Sequence, residues 1–185
     1  MASQVIIEDF TGTGTLSGTS PSELTGVGAV WSTYDSSLTP YNAFTRSESG
    51  ATVVLPLDGF ARLDPGGPRL LHSSGVTVVQ ASVRPGMQLY VGFGTIGSSV
   101  STNVNPDGSG TWAAWLQSSS GSGSFTGSAL SSPAVVRIEI TSSEIRFYVT
   151  GSLKATHSAG GVPYGHPVTS IRFVNLATFS NGEAD

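Results

Sequence analysis

The sequence predicts a single all-β domain spanning residues 1–185, an antiparallel sandwich of two sheets. Gly or Pro interrupts every window of about a dozen residues in which apolar side chains could recur with helical spacing, whereas alternation with period two is frequent. Charged residues are only 11% of the chain, so the usual charged helix surfaces are lacking. Hydrophobic residues are still 38%, enough for a packed core rather than a disordered chain.

Short Val, Ile and Phe runs mark the predicted strands, and clusters of Gly, Pro, Asn, Asp and Ser separate them. The predicted strands are Val5–Phe10, Thr52–Leu57, Val76–Val83, Gln88–Thr95, Thr111–Gln117, Val135–Thr141, Glu144–Thr150 and Val168–Val174. The predicted turns are Asp64–Pro68, Arg84–Met87 and Asn105–Gly110. The Ser/Gly-rich segment 118–132 is expected to be a long surface loop.

One hairpin is predicted together with its register. If Ser142 and Ser143 form a two-residue turn, three apolar pairs share one side of the ladder. These pairs are Ile140 with Ile145, Ile138 with Phe147 and Val136 with Val149. The other side then pairs Glu139 with Arg146, an ion pair, and Arg137 with Tyr148, a cation–π contact. A slip of one residue would destroy both sets, so register and facing are predicted together.

Two of the three tryptophans lie in the strand predicted over Thr111–Gln117. Alternation puts Trp112 on the apolar face with Ala114 and Leu116, and we therefore expect Trp112 in the core. Trp115 lies on the opposite, mixed face with Gln117. In the strand predicted over Gln88–Thr95, Tyr90 lies on the face that carries Gly92 and Gly94, where glycines leave room for a large group.

Composition excludes several classes of function. The formal net charge is −4 and Lys154 is the only lysine, so no basic stripe exists for nucleic acid or an anionic bilayer. The absence of cysteine rules out a disulfide framework, a thiolate metal site and a Cys nucleophile. The first ten residues have neither a basic segment nor a long apolar run, and we expect no secretion signal and no membrane span.

No set of residues forms a convincing catalytic centre. Glu139 and Glu144 flank the predicted turn, and Glu139 already has an arginine opposite it, so a structural ion pair is favoured over an acid–base pair. His72, His157 and His166 are expected in solvated loops, and no Gly-x-Ser-x-Gly elbow accompanies them. We predict that the chain is not an enzyme and uses no cofactor.

The segment around Asn105 has the spacing of a calcium loop, because Asn103, Asn105 and Asp107 are two residues apart. However, Ala114 stands where such a loop needs its bidentate glutamate, and Pro-Asp-Gly is a turn signal. A hairpin turn without a metal is therefore the preferred interpretation.

The segment Glu8–Trp31 resembles the opening of concanavalin A-like (laminin G-like) jelly-roll domains of bacteriophage virion proteins. The shared features are an Asp-Phe strand, a Gly-Thr-Leu turn, a Ser-Pro pair and a strand bearing Trp31. Near the end, Tyr148–Leu153 is similar to the family's YV-x-G-x-L turn, with Thr150 in the place often held by Asp, and the closing strand Ser170–Leu176 follows. The family's hydrolase pattern, Glu-x-Asp-x-x-Glu, is absent.

This resemblance implies a two-sheet jelly roll whose terminal strands pair, with Trp31 in the core and glycans bound on the concave face or rim loops. It also implies synthesis in the host cytoplasm and a location on the virion surface. The expected partners are other capsid or tail proteins, and assembly into a homo-oligomer is a further expectation. Two hypotheses stay open: a lectin-like domain that binds bacterial surface polysaccharide during adsorption, and a purely structural decoration protein whose aromatics pack against other virion proteins. The candidate glycan-binding residues are Trp115, Tyr90, Gln117, Arg146, Tyr148, Tyr34, Tyr41 and Asn42, the first five on the assumption that their strands share one sheet.

Overall fold

The structure is a computed structural model that describes part of the chain. The backbone is described for residues 5–7, 14–15, 17–25, 28–34, 45–47, 52–56, 60–66, 76–83, 87–93, 98–105, 107–116, 119–127, 134–141, 143–158, 168–175 and 181–184. Side chains are described within 17–22, 30–32, 76–83, 88–92, 99–105, 107–116, 120–127, 134–141 and 143–158.

Every regular element in the described part of the chain is a strand. In chain order the strands are β1 (Val5–Ile7), β2 (Gly14–Thr15), β3 (Glu23–Thr25), β4 (Gly28–Tyr34), β5 (Thr45–Ser47), β6 (Thr52–Pro56), β7 (Phe60–Gly66), β8 (Thr77–Val83), β9 (Met87–Phe93), β10 (Ser98–Val104), β11 (Gly110–Leu116), β12 (Ser119–Phe125), β13 (Ala134–Ile140), β14 (Glu144–Val149), β15 (Ser152–Ser158), β16 (Val168–Asn175) and β17 (Asn181–Ala184). Among the described residues no helix is long and apolar enough to cross a membrane.

Two antiparallel sheets form the sandwich, and this confirms the predicted fold class. The seven-stranded sheet has the order β12-β11-β10-β9-β16-β7-β4, and the eight-stranded sheet has the order β15-β14-β13-β8-β17-β6-β5-β2. The terminal strands do not pair with each other: β1 forms a separate ladder with β3, whereas β17 pairs with β6 and β8. The implied pairing of the termini is therefore not found among the described residues.

The core lies between the two sheets and takes alternate residues from each. Trp31 is buried, as expected, and the central strands contribute the fully buried Leu89, Ile138 and Phe147. The ring of Trp112 is half-buried and packs on this core, with its centroid 5.0 Å from that of Phe147 in the opposite sheet. This contact confirms that Trp112 faces inward. It also connects β11 of one sheet with β14 of the other.

The predicted hairpin is confirmed pair by pair. Strands β13 and β14 pair in the expected register, with Ile138 opposite Phe147 on the core side and Glu139 opposite Arg146 outside. The backbone N–H of Thr141 donates to the carbonyl of Glu144 across the tight turn. Apolar residues facing one way and charged residues facing the other leave the ladder only one low-energy register.

The Ser/Gly-rich segment is not a loop in its first half, because residues 119–125 form edge strand β12. Its glycines face inward under the indole of Trp112, which pairs with Gly123 across the ladder. A Cβ at Gly123 would lie 2.7 Å from Trp112 Nε1, and one at Gly121 would lie 2.8 Å from Cε1 of the His157 ring. Glycine is thus required here by the close approach of large rings rather than by a loop conformation.

Two further local expectations are wrong. Strand β7 continues through Asp64 and Pro65 to Gly66, where the sequence indicated a turn. His157 does not lie in a solvated loop but in strand β15, with its ring centroid 5.4 Å from that of Trp112. His72 and His166 lie outside the described residues. In both corrected cases pairing with a neighbouring strand outweighs the local turn composition.

Candidate functional site

The outer face of the seven-stranded sheet carries the most exposed tryptophan of the described residues. In β11, Thr111, Ala113 and Trp115 point away from the core, and the Trp115 side chain is 57% exposed. Its cross-strand neighbours are Ser99 on one side and Ser120 on the other. Because both neighbours are small, the indole stands above the strand surface with a ring face open to a ligand.

Beside Trp115 the outward side chains are small and buried. Ser99 and Ser101 alternate outward in β10, yet each is only 8% exposed, and Gly92 in the next strand is buried. Tyr90, half-buried, lies beyond them in β9 and pairs with Ser101. From the strand spacing, Trp115 and Tyr90 are two strands apart, or about 10 Å across the sheet. They flank a floor of small side chains, and we call these five residues the aromatic groove.

The outward residues of β9 to β12 with described side chains are uncharged, whereas Arg172 of β16 lies opposite Tyr90 in the same ladder. The uncharged residues are Gln88, Tyr90, Gly92, Ser99, Ser101, Asn103, Thr111, Ala113, Trp115, Ser120, Ser122 and Ser124. Amides and hydroxyls on such a surface can bind sugar hydroxyls, and an exposed indole can stack on the apolar face of a sugar ring.

Arg146 and Tyr148 lie in a different sheet from Trp115 and Tyr90. Both belong to β14 of the eight-stranded sheet, whereas β9 and β11 belong to the seven-stranded sheet. Since each pair faces outward from its own sheet, the two pairs lie on opposite surfaces of the sandwich. The assumption that they share one sheet is wrong, and one continuous site cannot include all four.

On the outer face of the eight-stranded sheet, Glu139 is the centre of a charge network. Its carboxylate forms ion pairs with Arg137 and with Arg146, the latter at 3.7 Å, and it accepts a hydrogen bond of 2.9 Å from the Tyr148 hydroxyl. The predicted cation–π contact is also present, with Arg137 Cζ 5.6 Å from the centroid of the Tyr148 ring. The predicted ion pair between Glu139 and Arg146 is confirmed, and the buried carboxylate has three donors around it.

Glu144 completes the network at the hairpin end. It binds the guanidinium of Arg146, and this hydrogen bond and the negative charge of Glu144 raise the pKa of Arg146 above its usual value. Both carboxylates on this hairpin are thus committed to arginines.

A pocket of about 300 Å³ opens beside this network. It is lined by Gln80, Val135, Arg137, Tyr148, Thr150 and Gly151. We call it the arginine pocket. Of these residues the sequence singled out only Tyr148 as a ligand contact. The predicted pairing of Arg137 with Tyr148 was the available signal, whereas the contribution of Gln80 depends on β8 pairing with β13, a long-range contact.

The turn at Asn105–Gly110 is a hairpin turn between β10 and β11. The Asp107 carboxylate accepts hydrogen bonds from the Ser109 backbone N–H at 2.9 Å and from the Ser109 hydroxyl at 2.5 Å. These bonds hold the pKa of Asp107 below its ordinary value. Within the described residues no group of three His, Asp or Glu side chains could hold a metal ion.

The remaining candidates have no described side chains. Tyr34 is the last residue of β4 and pairs with Phe60 of β7, at the far edge of the seven-stranded sheet. Gln117, Tyr41 and Asn42 lie outside the described residues. Their part in a site stays a prediction.

Solved structures with the same architecture include both sugar-binding and sugar-cleaving proteins. The Emp46p carbohydrate recognition domain is 11% identical, with a TM-score of 0.55 over 83% of this chain and 84% of that one. The LamA catalytic domain of Zobellia galactanivorans is 11% identical, with a TM-score of 0.57 over 98% and 95%. A Bacillus licheniformis β-glucanase is 13% identical, with a TM-score of 0.55 over 94% of each chain. The fold is a concanavalin A-like jelly roll.

At these identities the similarity establishes the architecture, and the chemistry depends on the residues of this chain. No protein-family model and no curated protein sequence matches the chain. The virion part of the expectation receives no support from these similarities.

Proposed function

We propose that this chain is a non-enzymatic carbohydrate-binding domain whose aromatic groove binds a glycan segment. The observation that carries the proposal is Trp115, 57% exposed beside a floor of small polar residues. An exposed indole can stack on the apolar face of a sugar ring, and this contact requires no charge. The fold shared with sugar-binding domains supports this assignment.

The described residues around Trp115 support binding rather than cleavage. Hydrolysis of a glycosidic bond needs two carboxyl groups about 5–10 Å apart beside the sugar. The described outward residues around Trp115 include none, and Glu139 and Glu144 lie on the other sheet, bound to arginines. Incubation with a bound glycan should therefore release no new reducing ends.

The biological setting proposed is the virion surface of a bacteriophage, with bacterial polysaccharide as the ligand. This part rests on the sequence resemblance of Glu8–Trp31, Tyr148–Leu153 and Ser170–Leu176. Mass spectrometry of purified particles would test it, because a decoration or adsorption protein must be present in fixed copy number in the particle.

The test of glycan binding is a tryptophan-fluorescence titration with oligosaccharide fragments of bacterial surface polysaccharides. Trp31 is buried and Trp112 faces inward, so a ligand on the outer face should change the emission of Trp115. Trp115→Ala should weaken binding at least tenfold, about 1.4 kcal/mol, through loss of the stacking surface. The matched control is Leu153→Ala, which removes an equally exposed apolar side chain from the other sheet.

Binding that Trp115→Ala leaves unchanged, measured by calorimetry, would remove the aromatic groove from the site. If no fragment binds and the isolated protein instead associates with capsid or tail proteins through Trp115, the chain is a structural decoration protein.

A further inference from the structure

The arginine pocket lies on the opposite surface from the aromatic groove, and its lining has the make-up of a small ligand site. The Tyr148 ring and the Val135 side chain form apolar walls. Gln80 and Thr150 are exposed residues of the lining, and both have hydrogen-bonding side chains. A volume of about 300 Å³ is at the lower end of small-molecule sites, which suits a single sugar ring.

The charge exposed at this pocket is positive, although the network behind it is balanced. The Arg137 side chain is 40% exposed, whereas its partner Glu139 is 11% exposed and lies beneath the Arg137, Arg146 and Tyr148 side chains. A ligand in the pocket therefore meets the guanidinium before the carboxylate. Arg137 donates to Glu139 through Nη2 and its Nε is buried, so a pocket ligand would engage the remaining N–H groups of the guanidinium.

Guanidinium and carboxylate match in geometry, since the planar fork of N–H groups binds both oxygens at once. The chain has a net charge of −4 and so repels anions at long range. A site that binds an anion therefore needs a positive group in direct contact with it. We propose that the arginine pocket binds a sugar residue that carries a carboxylate, with Arg137 on the carboxylate and Tyr148 against the ring.

The geometry of the rim is consistent with a built site. Thr150 has φ of +48°, a conformation that a β-branched residue rarely adopts, and it is followed by Gly151 at φ of +76°. This turn places Thr150 and Gly151 in the pocket lining. Strain of this kind persists only where surrounding structure holds it.

The experiment is an NMR titration of the ¹⁵N-labelled full chain with methyl β-D-glucuronide and, in parallel, methyl β-D-glucoside. The two probes differ only in the carboxylate. The glucuronide should shift the amide signals of Gln80, Thr150 and Gly151, and the glucoside should bind at least tenfold more weakly. Equal affinity for both probes would overturn the proposal, as would equal binding of acetate, which would make the pocket a plain anion site.

Variants locate the binding without relying on one substitution. Val135→Trp should fill the pocket and abolish the shifts, whereas the control Val78→Trp, on the same face next to Glu139, should not. Arg137→Gln should remove the preference for the glucuronide while Arg146 and Tyr148 still hold Glu139. Shifts that persist in Val135→Trp would contradict the assignment.

The two sites are distinguishable in the same assay. Trp115→Ala should leave glucuronide binding unchanged because the residue lies on the other sheet. Failure of the aromatic groove to bind glycans would therefore not affect this result, and the reverse also holds.

Discussion

The strand pair β11–β12 and the hairpin β13–β14 face each other across the core but are held together by different means. In the first, large rings pack against glycines, as Trp112 does against Gly123, and the strands themselves carry no charge. In the second, branched apolar residues fill the inner face while Glu139 and its arginines cover the outer one. One alternation of period two thus produces the aromatic groove on one surface and a charged pocket on the other.

The largest effect is expected from Glu139→Gln, which breaks the charged hairpin. The change leaves Arg137, Arg146 and Tyr148 without a common acceptor of full charge. We expect a loss of about 2–3 kcal/mol in the free energy of unfolding, below the ~3–5 kcal/mol of a fully buried pair because solvent reaches both arginines. Urea denaturation of the two proteins measures this difference in the free energy of unfolding.

The control for Glu139 is Glu144→Gln, which removes the carboxylate at the hairpin end, where solvent screens the ion pair. Its effect should fall within the scatter of the measurement. Equal losses for the two variants would show that Glu139 has no special role in the network.

Gly123→Ala tests the other region. The added methyl would lie 2.7 Å from Trp112 Nε1, so the indole or the edge strand must move. We expect a loss of about 1–3 kcal/mol, the usual cost of overpacking. Ser122→Ala, one residue away and facing outward, is the control and should change stability little. A neutral Gly123→Ala, measured by the same denaturation, would contradict the close packing of β12 under Trp112.

Thr150→Asn should stabilise the turn that joins β14 to β15. Both central residues of this turn have positive φ, which is typical of type I′ turns and favours Asn-Gly. Relief of strain at Thr150 should raise the free energy of unfolding by about 1 kcal/mol. Thr156→Asn, exposed in β15, is the control and should not stabilise, because Asn is unfavourable in a strand. A lower melting temperature for Thr150→Asn would contradict the interpretation.

The smallest effect concerns Asp107, the charged group in the turn that leads into β11. Because bonds from Ser109 hold its pKa below the ordinary value of 3.8, Asp107 stabilises the fold above that pH. The contribution is lost as the pH falls through the lowered pKa. Asp107→Asn should therefore flatten the decline of melting temperature between about pH 6 and about pH 2. Parallel curves for the two proteins would exclude this contribution.

Local patterning predicted the hairpin in full because each of its residues agrees with the register. The inward position of Trp112 and the outward position of Trp115 followed from the same alternation. Strand β12 could not be predicted in this way, since serine and glycine have low strand preference and the strand forms only because β11 offers an edge and Trp112 needs space. The candidate site was predicted only in part. Alternation shows which residues of a strand face outward, but it does not show which sheet the strand joins.

The sequence by itself determined the all-β class, the hairpin register, the uncharged character of the β11 surface and the ion pair at Glu139, all of which depend on neighbours in the chain or directly across a tight turn. Only the tertiary structure decided that β9 and β11 lie in one sheet and β14 in the other, which separates the aromatic groove from the arginine pocket. It also decided that Leu153 faces outward, because the ladder shifts register between Phe147 and Tyr148. Strand partners distant in sequence are selected by the packing of the whole core, and no local pattern carries that information.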